Sequence, residues 1–226
     1  MRTMKAVLLV AVLAVAASVA RAGTMEFGLS GDVAVPLGDL AKTGASPTEF
    51  GMGAGYAGGL NGDYWIEDDY AIGLSIEGAR LKTKDDAFAA ANRVQFPNIA
   101  ASMTIIPVCV HGIWAPKVGG ASLQPWITCG LGLYLLSFRG DNGPPSFNTS
   151  TYESKYGFDI GVGADLIVGG ARKVGAHVKY HYVPDGVDAT AFDPSSTAGQ
   201  KAAHYLTAGI QLTFMSSSTT KTGYRR

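Results

Sequence analysis

Strict alternation between two kinds of residue, sustained over long stretches, is the feature that most constrains how this chain folds. In the last such stretch, one face carries Leu206, Ala208, Ile210, Leu212 and Phe214, and the other carries Tyr205, Thr207, Gly209, Gln211 and Thr213. A period of two residues is typical of a β-strand whose faces meet different surroundings. No helical period is sustained after residue 22, so the sequence predicts an all-β fold.

Eight stretches of this kind predict eight strands, and the connectors between them alternate in length. The strands lie near residues 25–35, 50–65, 70–81, 99–114, 125–138, 154–168, 173–183 and 203–214. Long connectors near residues 36–49, 82–98, 139–153 and 184–202 alternate with short ones near 66–69, 115–124 and 169–172. Short turns at one end and long loops at the other are typical of transmembrane barrels. The sequence therefore predicts a single closed, eight-stranded, antiparallel up-and-down transmembrane β-barrel.

The fourth predicted strand departs from the pattern. Its alternation slips around Ile105, Ile106 and Pro107. Proline has no N–H to give to a strand ladder, and a β-bulge moves the following side chains to the other face. We therefore expect a bulge at this position.

The first 22 residues have the parts of a secretory signal peptide. Arg2 and Lys5 make the start positive, an apolar run follows from Ala6 to Ala20, and small residues precede a cleavage site before Gly23. A membrane anchor is the alternative, but the run is shorter than the roughly 20 residues that a spanning helix needs. We expect a signal peptide over residues 1–22, a barrel domain over 23–214 and a polar, flexible tail over 215–226.

The charge balance argues against nucleic acid as a partner. Residues 1–22 contain Arg2, Lys5 and Arg21 and no acid, so their removal leaves 15 basic and 18 acidic residues. Recognition of nucleic acid calls for a clustered basic face, which a net charge of −3 without basic clusters does not provide. A mature chain of roughly 200 residues is the size of one domain.

The face opposite the apolar residues carries glycine and scattered ionisable groups, which bears on the choice between a membrane barrel and a soluble, lipocalin-like carrier. A soluble carrier would expose this glycine-rich face to water, where glycine only weakens strands. In a narrow membrane barrel, glycine makes room for larger polar groups inside, because eight strands enclose a lumen that side chains fill. We therefore expect a plugged lumen with a polar network of Asp32, Asp63, Glu77, Asp159, Asp165, His177, Lys179 and His181.

Aromatic residues gather near both ends of the predicted strands, as expected of the two interfacial girdles of a barrel in lipid. One group is Phe27, Tyr64, Tyr70, Trp114, Trp126 and Phe214, and the other is Phe138, Tyr156, Tyr182 and Tyr205. Trp126 and Tyr205 depart from this pattern, because their parity points into the barrel. The girdles favour the membrane barrel over the soluble carrier.

The glycine-rich strand motifs resemble a known family. They include Phe27-Gly28-Leu29-Ser30-Gly31, Gly130-Leu131-Gly132-Leu133-Tyr134 and Gly161-Val162-Gly163-Ala164-Asp165. Together they resemble the small outer-membrane β-barrel domains of the OmpA, OmpX and OmpW type, over essentially the whole mature chain. The resemblance implies a bacterial outer-membrane protein in contact with membrane lipid.

The last strand also looks like the signal that the barrel-assembly machinery reads in this family. Gly209, Leu212 and Phe214 occupy the matching positions. In many relatives the aromatic residue ends the chain, whereas residues 215–226 follow it here. The resemblance implies the assembly machinery as a partner.

Two cysteines leave the question of a disulfide open. Cys109 and Cys129 lie on neighbouring predicted strands at equal distances from a turn near Gly119, and an oxidising compartment permits a bond between them. Cys129 has outward parity, and the phase slip leaves the direction of Cys109 undecided. The two can bond only if they share a face.

The candidate residues for chemistry do not form a site at the level of sequence. His177 and His181 share a face but lie about 13 Å apart along a strand, too far to share one zinc ion. His204, near Ser195 and Ser196, is the only seed of a lipid-modifying catalytic group. We therefore expect no catalytic residues, no bound metal and no cofactor.

Fold does not dictate function among small barrels. The first interpretation is a structural or surface-contact protein, with a plugged polar lumen and four long loops that meet an unidentified surface ligand. The alternative is a conduit of the OmpW type for small hydrophobic molecules. An apolar pocket in the outer half of the lumen would favour the conduit, and a continuous polar plug would favour the structural role.

Overall fold

The computed structural model of the protein describes residues 24–42, 51–83, 100–116, 122–141, 151–169, 171–188 and 200–216. They form eight strands: β1 (Thr24–Leu37), β2 (Gly55–Trp65), β3 (Tyr70–Lys82), β4 (Ala100–Trp114), β5 (Leu123–Asp141), β6 (Thr151–Gly169), β7 (Arg172–Asp188) and β8 (Gln200–Ser216). Each strand pairs antiparallel with the next, and β8 pairs with β1. The prediction of a closed eight-stranded antiparallel barrel is confirmed.

The barrel has two different ends. The turn end carries Thr24, Ser216 and the short connectors at residues 66–69, 115–122 and 170–171, and the loop end carries the long connectors at residues 38–54, 83–99, 142–150 and 189–199. Strand β8 continues through Ser216, so the first two residues of the predicted tail belong to the barrel. The expected signal peptide and the rest of the tail lie outside the described residues.

The alternation in the sequence places apolar side chains outside and polar ones inside. Large apolar side chains around the whole circumference are exposed, from Phe27 on β1 to Ile210 on β8, and Leu131 reaches 70%. A continuous apolar surface of this extent suits lipid and not water. The soluble carrier is thereby contradicted, since it requires the apolar face inside. The described residues contain no helix that is long and apolar enough to cross a bilayer.

Most of the predicted aromatic girdle lies on the outward face. Phe27, Tyr70, Trp114, Phe214 and Tyr156 are exposed. Trp126 and Tyr205 are buried in the lumen, as their parity indicates. Phe138 also points inward and is buried, so its assignment to the girdle is wrong: it has the same parity on β5 as Trp126 and Tyr134.

The bulge predicted in the fourth strand is absent from its pairing. Ile76 faces Val108 and Ala79 faces Ile105, so equal numbers of residues separate these pairs on β3 and β4. The pairing of β4 with β5 continues through Pro107, opposite Tyr134, without a shift. Apolar residues on both faces of β4 in this region produced the apparent slip. Register shifts occur instead between Ile167 and Gly169 on β6 and between Val183 and Val187 on β7.

The first long connector folds back into the loop end of the barrel. A short 3-10 helix, Gly38–Leu40, ends β1, and the Met52 N–H donates to the Leu40 carbonyl at 2.7 Å. The Gly53 N–H donates to the Lys82 carbonyl at 2.7 Å, which ties the returning chain to β3. The side chains of Leu40 and Met52 are thereby fully buried, at 0% and 1% exposure.

Candidate functional site

The lumen is the candidate site, and a lysine–carboxylate pair lies near its middle. The Lys179 ammonium on β7 donates to Glu77 on β3, across the barrel interior. The other Glu77 oxygen, Oε2, lies 3.7 Å from His181 Nε2. The His181 ring also contacts the Tyr134 hydroxyl at 3.3 Å and the Thr207 hydroxyl at 3.1 Å. These contacts join three predicted network residues, Glu77, Lys179 and His181.

A second histidine–carboxylate pair lies at the seam between β1 and β7. His177 Nε2 is 2.9 Å from Asp32 Oδ1, and both side chains are buried. The Ser30 hydroxyl donates to Asp32 Oδ2 at 2.8 Å, and the Trp126 ring lies 6.2 Å from the His177 ring. Strand β8 lies between β1 and β7, and Gly209 opposite both residues leaves room for this contact.

A third pair involves a histidine that the sequence analysis did not place in the network. His111 Nε2 lies 2.7 Å from Asp63 Oδ1, and Asp63 also accepts a hydrogen bond from Asn61. His111 was missed because the expected slip in β4 obscured which way it points. Continuous alternation through Pro107 places it inside.

The turn end of the lumen holds a fourth pair that was also missed. The Lys173 ammonium lies 2.7 Å from Glu26 Oε1, donates to Gln124 Oε1 at 3.1 Å and lies 5.0 Å from the centre of the Trp65 ring. Glu26 shares the parity of Asp32, and Lys173 shares that of His177. Extension of the inward pattern to the strand ends would have found both.

The remaining predicted network residues, Asp159 and Asp165, also point inward and are buried. Asp165 accepts a hydrogen bond from Gln211 at 2.8 Å. Asp159 lies against Gly130 on the neighbouring strand and beside Cys109. All eight predicted network residues therefore lie in the lumen, where they take part in several contact groups. Among the described residues, no three His, Cys, Asp or Glu side chains come together as a metal site.

The loop-end half of the lumen holds a buried apolar cluster, beside which the Lys155–Glu153 pair of β6 also faces inward. The cluster comprises Ala34, Leu40, Met52, Ala79, Leu81, Met103, Ile105, Cys109, Tyr134, Leu136, Phe138, Val183, Ala203 and Tyr205. The Tyr205 ring stacks on His181 at 4.4 Å with an interplanar angle of 4°, where the apolar cluster meets the polar network. The predicted polar residues thus lie in the turn-end half, whereas β5 and β7 carry inward apolar residues such as Leu136 and Val183 toward the loop end.

The polar half of the lumen contains little empty space. One cavity of about 40 Å³ lies among Asn61, Asp63, His111, Thr128 and Asp165, a volume on the order of a single water molecule's share of the liquid. A wider pocket of about 270 Å³ opens at the turn end beside Trp65 and Lys173.

At the first long connector, the Lys42 ammonium lies 2.9 Å from the Asp39 carboxyl in an exposed pair. Its positive charge holds the pKa of that carboxyl below its usual value.

The two cysteines are free and point to opposite faces. Cys109 is buried in the lumen, whereas Cys129 is exposed on the outward face. Cys109 pairs with Gly132 across the strands, and Cys129 pairs with Gly112. The possible disulfide is therefore contradicted, because β4 has no bulge to turn Cys109 outward.

His204, the seed of a catalytic group, lies on the outward face of β8. Tyr180 OH is 2.9 Å from His204 Nδ1, and the Tyr182 ring packs edge-on against the imidazole at 5.1 Å. Ser195 and Ser196 lie outside the described residues, so the structure does not test their proximity to His204. The three positions of the predicted assembly signal divide between the faces: Gly209 lies inside, and Leu212 and Phe214 are exposed outside.

Solved structures of outer-membrane proteins are similar to this fold. The outer membrane protein OprG from Pseudomonas aeruginosa matches with a TM-score of 0.52 and 14% identity, covering 88% of this chain and 98% of that one. Neisserial surface protein A matches with a TM-score of 0.48 and 11% identity, over 85% and 95% of the two chains. Ail of Yersinia pestis matches with a TM-score of 0.48 and 12% identity, over 86% and 100%.

No protein-family model and no curated protein sequence matches the chain. At 14% identity, the similarity to OprG concerns the fold alone. It agrees with the closed eight-stranded order and with the apolar outward face. The resemblance found in the sequence is confirmed at the level of architecture: the chain has the fold of the small outer-membrane β-barrels.

Proposed function

We propose that this protein is an integral, non-conducting and non-enzymatic protein of the bacterial outer membrane, with a structural or surface-contact role. The apolar outward face supports insertion into lipid, and the signal peptide expected over residues 1–22 supports export. The long connectors between the strands at the loop end face the cell exterior and carry the contacts. Among the described residues, the Thr207 hydroxyl beside His181 is enclosed in the lumen, and the Tyr180 hydroxyl beside His204 lies on the outward face.

The observation that carries the non-conducting proposal is the double closure of the lumen. Two lysine–carboxylate ion pairs, Lys173–Glu26 and Lys179–Glu77, and two histidine–carboxylate contacts, His111–Asp63 and His177–Asp32, occupy the turn-end half. Above them lies the buried apolar cluster, with the Lys155–Glu153 pair beside it. An ion would have to separate paired charges and pass the apolar cluster, and each step is costly.

Single-channel recording in planar bilayers tests this proposal. We expect no steady conductance steps after insertion of the purified protein, under conditions in which an open porin conducts. Insertion is checked by the compact gel mobility of the same sample before boiling. Steady, sizeable conductance from the folded protein would contradict a closed lumen.

One observation favours a second candidate, a conduit for small hydrophobic molecules. The loop-end interior holds an apolar cluster, and two of its side chains, Leu40 and Met52, come from the first connector and not from a strand. Movement of this connector would open an apolar chamber. The two described cavities, at Asp63 and at Trp65, are lined by neither Leu40 nor Met52.

Uptake of a small apolar fluorescent probe separates the two candidates. Under the closed-barrel proposal, cells with and without the protein take up N-phenylnaphthylamine at equal rates. The double variant Leu40→Ala/Met52→Ala enlarges the chamber and tests its latent capacity. Faster uptake through the unaltered protein would favour the conduit.

A further inference from the structure

The barrel wall is split at the loop end between β6 and β7. Phe158 faces Tyr182 in the last pair that joins the two strands toward this end, and their rings lie 5.2 Å apart. Beyond that pair both strands continue, β6 through residues 151–157 and β7 through residues 183–188. Among the described residues, no pair joins these two segments. We call this unpaired stretch the β6–β7 split.

Both segments remain paired on their other sides. Residues 151–157 of β6 continue opposite β5 without a shift in register. On β7, the pairing with β8 continues beyond Val183 and shifts in register before Val187. The split therefore separates two pairs of strands, β5 with β6 and β7 with β8, which extend past the closed part of the wall.

A proline and a register shift explain why β7 leaves β6. Pro184 follows Val183 and has no N–H to donate to a ladder. The register shift between Val183 and Val187 bends the strand at the same place, since extra residues on one strand of a pair kink it. Both features protect the β7 edge from further pairing. Residues 151–157 contain neither a proline nor a register shift, so β6 carries the unprotected edge.

The β6 edge offers main-chain groups to a partner. A strand that is paired on one side alone presents a row of N–H and C=O groups on the other side. At the rise of a β-strand, residues 151–157 extend for about 20 Å. Phe158 and Tyr182 lie on the outward face at the closed end of the split, as expected at a membrane interface. In the orientation proposed above, the β6 edge therefore projects beyond the membrane on the cell exterior.

The β6 edge also carries two opposite charges. Glu153 and Lys155 point inward, opposite Leu136 and Tyr134 of β5, and the ammonium lies 3.2 Å from the carboxylate. Their side chains are partly exposed, at 27% for Glu153 and 20% for Lys155. A strand added beside β6 would place its own side chains next to these two, where opposite charges stabilise the pairing and like charges destabilise it. The two charges therefore discriminate among strands that the edge accepts.

We propose that the β6 edge binds an extended segment of another protein, which adds to the barrel wall as an antiparallel strand. The ligand is a polypeptide, because its backbone repeats donors and acceptors at the spacing of the strand edge. The segment carries a cation beside Glu153 and a carboxylate beside Lys155. This inference rests on the surface-contact role proposed above and names the class of its partner.

A peptide with the sequence of residues 151–157 is a suitable probe, because this sequence is complementary to itself when two copies run antiparallel. With Ser154 opposite its own copy, the lysine of the peptide lies beside Glu153 and its glutamate beside Lys155. Fluorescence anisotropy measures binding of the labelled peptide to the folded protein in nanodiscs. We expect saturable binding that is at least about tenfold weaker when the backbone amides of the peptide are N-methylated, since several main-chain hydrogen bonds are lost together.

A charge swap tests the register of the added strand. Glu153→Lys/Lys155→Glu in the protein should weaken binding of the original peptide about tenfold, because like charges then lie opposite each other. A peptide with the same swap should restore the affinity. The control Asp39→Lys/Lys42→Asp exchanges an exposed pair of the first connector and should leave binding unchanged. Equal affinity for the original and N-methylated peptides, or no rescue by the swapped peptide, overturns the inference.

The state of the barrel separates this inference from the function on which it rests. A protein without a gel shift on boiling contradicts the membrane barrel itself. With the shift intact, absence of saturable binding up to millimolar peptide contradicts strand addition alone. Should the charge-swapped protein not fold, hydrogen exchange of the unaltered protein decides: the peptide should slow exchange of amides within residues 151–157 and not within residues 55–65. Unchanged exchange in residues 151–157 overturns the inference.

Discussion

At the scale of single residues, the lumen combines a large polar side chain on one strand with a glycine directly opposite on the next. Gly73 faces Asp63, Gly175 faces Asp165 and Gly209 faces Asp32. A Cβ atom at any of the three would overlap the facing carboxylate. The glycines scattered through the inward pattern are therefore the space into which the polar network fits.

Substitution of one such glycine should destabilise the barrel through overpacking. Gly73→Ala places a methyl group against Asp63 and His111, and we expect a loss of about 1–3 kcal/mol in the free energy of unfolding. Gly78→Ala is the control on the same strand, because a Cβ atom there has no neighbour within 4 Å. Urea unfolding in micelles measures both, and equal effects would contradict the packing argument.

Removal of one partner from the central ion pair should cost more than removal of both. Lys179→Met leaves Glu77 buried and unpaired, which costs about 3–5 kcal/mol of unfolding free energy. The double variant Glu77→Gln/Lys179→Met should recover much of this loss. Lys42→Met, which breaks the exposed pair with Asp39, should cost about 1 kcal/mol or less. Equal losses from Lys179→Met and Lys42→Met would count against a buried central pair.

At the scale of elements, strands of unequal length explain why one lumen has two characters. Strands β5 to β8 have 17 to 19 residues, whereas β1 to β3 have 11 to 14. The longer strands continue past the polar network at the loop end, where β5 and β7 carry inward apolar residues such as Leu136 and Val183 and β6 carries the inward Lys155–Glu153 pair. On the side of the shorter strands, Leu40 and Met52 of the first connector contribute to the same cluster.

The terminal strand should matter for assembly beyond its contribution to stability. Phe214→Ala should lower the amount of folded barrel in cells, because it removes the aromatic residue of the predicted assembly signal. Phe27→Ala is the matched control, since Phe27 is the cross-strand partner of Phe214 and is similarly exposed. Refolding of the two purified variants in vitro should be alike. Equal yields in cells would contradict a signal role.

At the scale of the whole molecule, closure leaves no strand edge within the membrane. Each strand has two hydrogen-bonded neighbours, and an unpaired backbone group in hydrocarbon costs several kcal/mol. Opening the barrel would expose two edges together with the buried ion pairs of the lumen. We therefore expect a high barrier to unfolding in detergent.

Gel mobility with and without boiling measures that barrier. The unboiled protein should migrate as a compact species in dodecyl sulfate, and boiling should shift it to the position of the extended chain. The shift should appear without reductant, because Cys109 and Cys129 are free. A protein that is soluble without detergent and shows no shift would contradict the membrane barrel.

The sequence by itself determined the number of strands, their order and the direction of most side chains. A period of two needs only local information, and the demand that no edge remain in lipid then closes eight strands into a barrel. It therefore placed Asp32, Glu77 and His177 in the lumen. The same rule, interrupted by the expected bulge, left Cys109 and His111 undecided.

Only the tertiary structure decided which inward groups meet. Glu77 and Lys179 are 102 positions apart, and Asp63 and His111 are 48 apart, so their contacts depend on the strand register and on the path of each side chain across the lumen. The filling of the loop-end half by Leu40 and Met52 likewise depends on how a connector folds back, for which alternation carries no signal. Alternation is a property of each strand alone, whereas pairing and filling are properties of the closed barrel.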